Sequence, residues 1–265
     1  MSTEDHTISF DLTGTVAVVT GAAQGIGQGV AVALAQMGAD VACVDRDAER
    51  QAQTVAGVEA HGRRALAIGG DVTDRDGVNA AAERVVAELG PIGALVCAAG
   101  VITENVPAEQ VREADLDLLW AVNVKGSFHW AVAASHSMRA SGSGRIVLLA
   151  SQAALVALPS QAGYTASKGA VAALTRSLAI DWAQHGITVN AICPTFVWTP
   201  MAAPMLEIEE VHRAAVRRIP LGRVGQPRDI AGVAAFLCSP AAALVTGVVL
   251  PVDGGWTAGE PELPL

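Results

Sequence analysis

VVTGAAQGIGQGV, residues Val18–Val30, decides the fold. Its β-favouring start runs directly into a turn carrying Gly21, Gly25 and Gly27, and Ile26, Val30, Leu34 and Met37 then recur at the spacing of one helix face. A strand ending in such a turn aims the free N–H groups and positive dipole end of the next helix at whatever lies beyond the strand. Glycines allow the tight turn and close backbone approach that a pyrophosphate needs. The spacing is G-x-x-x-G-x-G rather than G-x-G-x-x-G, and a lone glycine triplet can serve merely to join strand to helix, so the rest of the chain must supply the context.

Further short apolar or β-branched runs follow, separated by Ala-rich helical stretches: DVACVD (40–45), RALAIGG (64–70), ALVCAAG (94–100), RIVLLAS (145–151), TVNAICP (188–194) and VVLPVDGG (248–255). With TVAVVT (15–20) they make seven predicted strands. Strands apolar throughout and alternating with helices imply a parallel sheet covered on both faces. The expected fold class is therefore α/β, a single Rossmann-type doubly wound domain over residues 1–265, with a polar lead at 1–11 and a Pro- and acid-rich tail at 257–265.

Composition narrows the partners. A chain of 265 residues that is 51 % hydrophobic can build one large core. Only 16 % of residues are charged, and a mean hydropathy of +0.39 suggests apolar surface covered by subunit contacts, hence a homo-oligomer. The formal charge of −9, with no run of Lys or Arg, argues against nucleic acid or anionic membrane as partners. The start MSTEDHTISF lacks the basic and apolar segments of a signal peptide. The most apolar region, 234–252, is interrupted by Ser239, Pro240, Thr246 and Gly247, which argues against a membrane span. Cys43, Cys97, Cys193 and Cys238 have apolar neighbours and no metal-type spacing, as expected of reduced core thiols in a cytoplasmic protein.

In doubly wound sheets the ligand lies beyond the carboxyl ends of the strands. Gly21, Gln24, Gly25, Ile26 and Gly27 are the candidate phosphate cradle. Asp45 ends the second predicted strand, where a carboxylate accepts hydrogen bonds from the adenosine ribose and repels a 2′-phosphate, so NAD is the expected cofactor. Arg46 softens that repulsion, and position 24 is Gln rather than a second cation; Asp45 also suits a plain turn. Asp71, with Val72, is placed near the adenine, and Thr73 or Asp74 can cap the next helix.

YTASK, 164–168, holds the chain's single tyrosine. Tyr164 and Lys168 at i, i+4 share one helix face, so an ammonium could favour the phenolate and make a proton-transfer pair; an exposed packing pair has the same spacing.

Taken together in this order, TGAAQGIG, NVKG at 123–126, Ser151 and YTASK resemble the classical short-chain dehydrogenase/reductases, and the resemblance runs from Leu12 to Trp256. It implies that Tyr164 exchanges a proton with the substrate oxygen while hydride passes between the carbinol carbon and a nicotinamide. Lys168 would lower the Tyr164 pKa and bond the nicotinamide ribose, Ser151 would hold the substrate oxygen, and Asn123 would fix a helix distortion. Ala99, Gly100, Pro194, Val197 and Thr199 join the implied cofactor site, and 196–218 becomes the segment that closes over substrate. Two positions depart from the family pattern: Cys97 and Ala98 stand where asparagines are usual, and Thr195 stands where glycine is usual.

Ser151, Gln152, Gln161 and Trp198 are the candidate substrate contacts, and Gln amides suit hydroxyl-rich molecules. The resulting expectation is an NAD-dependent secondary-alcohol dehydrogenase acting on a small polyol or sugar alcohol and assembled as a homotetramer. A 3-oxoacyl-thioester reductase using NADPH would show the same catalytic residues, and a nucleotide-sensing binding protein would share the fold.

Overall fold

The computed structural model of the protein describes residues 8–259. Its strands are β1 (Val16–Thr20), β2 (Asp40–Asp45), β3 (Ala65–Gly69), β4 (Ile92–Cys97), β5 (Gly144–Leu149), β6 (Ile187–Pro194) and β7 (Val249–Val252). They form one seven-stranded sheet in the order β3-β2-β1-β4-β5-β6-β7, and every pairing is parallel. The helices, in chain order, are α1 (Gly25–Gln36), α2 (Ala52–Glu59), α3 (Arg75–Glu88), α4 (Glu113–Leu119), α5 (Ser127–Ser141), α6 (Ala162–Trp182), α7 (Ala203–Leu206), α8 (Glu209–Arg218) and α9 (Pro227–Cys238).

The two-faced apolar character of the strands follows from the side-chain period of two. Val16 and Val18 of β1, with Ile146 and Leu148 of β5, face a layer built by α3, α5 and α6. Ala17 and Val19, with Val147 and Leu149, face the opposite layer of α1, α2 and α9. Both layers are sealed from water, so this is a single α/β domain with two cores separated by the sheet.

The seven predicted strands are all present, with ends that differ for local reasons. The β4 strand begins two residues earlier than expected, at Ile92, and stops at Cys97, leaving 98–100 as loop. The β7 strand stops at Val252 because Gly254 and Gly255 turn the chain out of the sheet with φ of 64° and 94°. Residues 234–252 divide into the end of α9, a short turn and β7. Among the described residues no helix is long and apolar enough to cross a membrane. Most of the predicted N-terminal lead and C-terminal tail, residues 1–7 and 260–265, lies outside the described residues.

Candidate active site

The strand order reverses between β1 and β4, and the carboxyl ends of these strands open into a cleft. Its first half, of about 220 Å³, is formed by the β1–α1 turn and the ends of β2 and β4. A side chain has no room in that turn: a Cβ at Gly27 would overlap the Gly21 carbonyl oxygen, and one at Gly21 would lie 2.8 Å from Ala99 N. The bare cradle facing the N-terminus of α1 fits a pyrophosphate, so the residues suit a dinucleotide. Gln24, Gly25 and Ile26 line the same recess.

Asp45 stands at the far end of this half, where its Oδ2 accepts a hydrogen bond from Ala23 N at 3.1 Å. Arg46, Asp71, Val72, Ala99 and Gly100 complete the walls. Asp71 itself accepts from Thr73 N and Thr73 Oγ1, both at 2.8 Å, and Asp74 caps α3 by accepting from Asp76 N and Gly77 N. Although residue 24 is not a cation, one arrives from the turn after β2: Arg50 Nη2 donates to Gln24 Oε1 at 2.6 Å and lines the recess. No feature of the Gln24 neighbourhood in sequence signals this, since the contact spans 26 residues.

The second half, of about 530 Å³, continues from the first through Ile26, Gly100 and Thr199. Ser151, Tyr164 and Lys168 line it together, with Pro194 and Val197 at its base. Ser151 stands just past β5, where its Oγ accepts from Ala153 N at 3.1 Å. Ser160, at φ 60°, turns the chain into α6, which carries Tyr164 and Lys168 on one face. Lys168 is buried, its Nζ donates to Leu149 O at 2.8 Å, and it lies 5.9 Å from the Tyr164 ring centroid.

The electrostatics correct one expectation. Burial pushes the Tyr164 phenol above its ordinary value, with a hydrogen bond to Ser151 pulling the other way. Burial also lowers Lys168 itself, to about 8. The i, i+4 spacing gave proximity, but depth below the surface sets the sign of both shifts.

Asn123 lies behind the cleft wall rather than in it. It occupies a π-helical turn, Trp120–Gly126, between α4 and α5. Its Oδ1 accepts from Val101 N at 2.8 Å, and its Nδ2 donates to Val101 O at 3.1 Å and Ser167 Oγ at 3.0 Å. The amide therefore ties the β4 loop to the helix that carries Tyr164. Local widening of a helix at such a functional turn is a known use of π geometry.

The two departures from the family pattern are accommodated differently. Ala98 has no polar side chain, and a strand-end hydrogen bond is met by Thr20, whose Oγ1 accepts from Ala99 N at 3.1 Å. Thr195 lines the cleft and leaves its Oγ1 buried without a partner. Thr199 packs against the glycine turn, since a Cβ at Gly25 would lie 3.1 Å from its Cγ2. Of the candidate substrate contacts, Gln152 and Gln161 line the cleft, whereas Trp198 lies outside the lining and packs against His212 of α8, centroids 5.7 Å apart. Sequence proximity to Pro194 placed Trp198 near the site, but its backbone N–H bonds Gly225 O and its ring packs on α8. Glu104 and Asn105, from the loop after β4, enter the lining unanticipated.

Comparison with known proteins agrees with this geometry. A family model described as enoyl-(acyl carrier protein) reductase matches residues 21–257. D-threitol dehydrogenase of Mycolicibacterium smegmatis is 41 % identical over 258 residues, covering 96 % of this chain and 98 % of that protein. Gluconate 5-dehydrogenase of Gluconobacter oxydans is 39 % identical over 252 residues, covering 95 % and 98 %. The crystal structure of a gluconate 5-dehydrogenase from Burkholderia cenocepacia, in complex with NADP and tartrate, matches with a TM-score of 0.90 at 34 % identity, covering 95 % of this chain and 98 % of that one. The glycine cradle, the Ser151–Tyr164–Lys168 grouping and these matches over nearly the whole chain lead to one conclusion: the protein belongs to the short-chain dehydrogenase/reductase family and is an oxidoreductase acting on CH–OH groups with a nicotinamide dinucleotide.

Proposed function

We propose that the protein interconverts a secondary alcohol of a small polyol or sugar alcohol and the corresponding ketone, using NAD. The observation that carries the reaction is the convergence of Ser151, Tyr164 and Lys168 on one cleft continuous with the glycine cradle. The dinucleotide, when bound, accepts or donates hydride at the carbinol carbon. The protein's part is to hold the substrate oxygen between the Ser151 and Tyr164 hydroxyls and to move one proton at Tyr164 Oη. Lys168, anchored on Leu149 O, keeps a positive charge beside Tyr164, and Asn123 positions both through Val101 and Ser167. The polyol reading is supported by the cleft's Gln152 and Gln161 amides and by the kinship with D-threitol dehydrogenase.

Asp45 supports NAD over NADP, because its carboxylate faces the recess where a 2′-phosphate would lie. Arg46 and Arg50 line the same recess and are the groups that an added phosphate would recruit. Steady-state kinetics should show kcat/KM for NAD exceeding that for NADP by about tenfold or more, the order of one uncompensated like-charge contact. Asp45→Ala should narrow that ratio. An equal or higher value with NADP in the unsubstituted protein would overturn the NAD assignment.

The assembly proposed is a homotetramer. Leu116 and Leu118 of α4, Trp120 in the π turn and Phe128 of α5 form exposed large apolar groups on consecutive helical elements, a surface suited to a second copy. The four buried free thiols are consistent with a cytoplasmic setting. Light scattering should give the mass of four chains, and a stable monomer at micromolar concentration would refute the assembly.

A further inference from the structure

The substrate half of the cleft is walled largely by carbon, including Ile102, Leu158, Phe196, Met201 and Met205. Its polar positions are amides and hydroxyls, with one carboxylate, Glu104, in the loop after β4. Asn105, next in that loop, donates from Nδ2 to the Met205 sulfur at 3.6 Å, so the rim bearing Glu104 is held against α7.

Among the described lining residues the sole cation is Lys168, which is buried and engaged with Leu149 O. Two arginines lie nearby, and neither lines this half. Arg112 is bound by Asp115 through hydrogen bonds of 2.8 and 2.7 Å and also lies within electrostatic reach of Glu104. Arg218 stands in the adjoining recess, over the Trp256 ring at 5.7 Å. A carboxylate on the substrate would therefore meet Glu104 in the lining, while the cations within reach are already engaged, Lys168 with Leu149 O and Arg112 with Asp115 and Glu104.

Two further atoms favour a ligand rich in hydroxyls. Gln152 Oε1 and Thr195 Oγ1, both on lining residues, are buried without a hydrogen-bond partner. A buried acceptor left unpaired is costly until a donor reaches it. A hydroxyl O–H of a ligand is a donor suited to the Gln152 carbonyl.

We propose that Glu104 is a specificity-determining residue that makes this cleft accept uncharged polyols and reject their carboxylate-bearing counterparts. The inference rests on the secondary-alcohol reading above and narrows its substrate class. Rejection by a misplaced like charge is an ordinary way for a site to separate ligands of similar shape.

The test is kinetic. Initial rates with NAD are measured for matched pairs, D-threitol against D-threonate and D-glucitol against D-gluconate, for the unsubstituted protein, Glu104→Gln and Glu104→Arg. The alditol should exceed its aldonate in kcat/KM by about tenfold or more in the unsubstituted protein, Glu104→Gln should reduce that ratio, and Glu104→Arg should shift it by about a hundredfold towards the acid. The shift should reside in KM of the acid and shrink as salt is raised, which a general loosening of the loop would not produce. An aldonate preferred by the unsubstituted protein, or a ratio unmoved by Glu104→Arg, would overturn the proposal. If neither member of a pair reacts and another secondary alcohol does, the polyol reading falls. The charge claim is then read from inhibition against that alcohol: Glu104→Arg must lower the KI of gluconate by about tenfold, and an unchanged KI overturns it.

Discussion

Tyr164→Phe is expected to lower kcat by about 10²–10⁴-fold, the usual worth of a positioned general acid or base, while dinucleotide affinity measured by titration calorimetry changes little. The substitution removes one oxygen and leaves the ring against its neighbours, so the loss falls on proton transfer at the substrate oxygen. Because burial holds the phenol protonated to higher pH than usual, the group is ready to donate in carbonyl reduction and must ionise before alcohol oxidation. Oxidative kcat/KM should therefore rise with pH through the alkaline range, and the reductive direction should lose rate over the same range. A Tyr164→Phe enzyme retaining full turnover would remove Tyr164 from the chemistry.

The second large effect opposes stability to function at Lys168. Its ammonium is driven from an ordinary 10.5 to about 8 by burial. The folded state thus binds fewer protons than the unfolded one between those two values, so the penalty is full below about pH 8 and fades as pH rises towards 10.5. A shift of that size corresponds to roughly 3 kcal/mol, partly offset because removing the amine leaves Leu149 O without its donor. Lys168→Met keeps most of the stem volume. It should raise the unfolding free energy at pH 7, measured by chemical denaturation, by about 1 kcal/mol, lose that advantage near pH 10, and lower activity severely. A variant less stable than the parent at pH 7 would show that the bond to Leu149, rather than the buried charge, dominates this position.

The sequence made the scaffold readable because parallel strands buried on both faces leave uninterrupted apolar runs, and the glycine turn has one steric solution at Gly21 and Gly27. Tyr164 and Lys168 could be paired from helical spacing alone. What spacing cannot carry is depth and long-range approach. The expected depression of the Tyr164 phenol fails because burial of the phenol itself raises it. Arg50 reaches Gln24 across 26 residues, and Thr20 meets Ala99 across 79. Trp198 is adjacent to cleft residues in the chain yet packs on His212 instead. Each of these depends on where loops beyond the strand ends fold back, which local periodicity does not encode.

Hydride transfer between a polyol's secondary alcohol and NAD is the step on which the proposed function stands. Its most direct test is the initial rate of NAD reduction with a panel of small alditols, run beside oxidation of NADPH with an acetoacetyl thioester. Turnover of an alditol with NAD, abolished by Tyr164→Phe, is the predicted result. Thioester reduction with NADPH and no alditol oxidation with NAD would contradict both the cofactor and the substrate assignments.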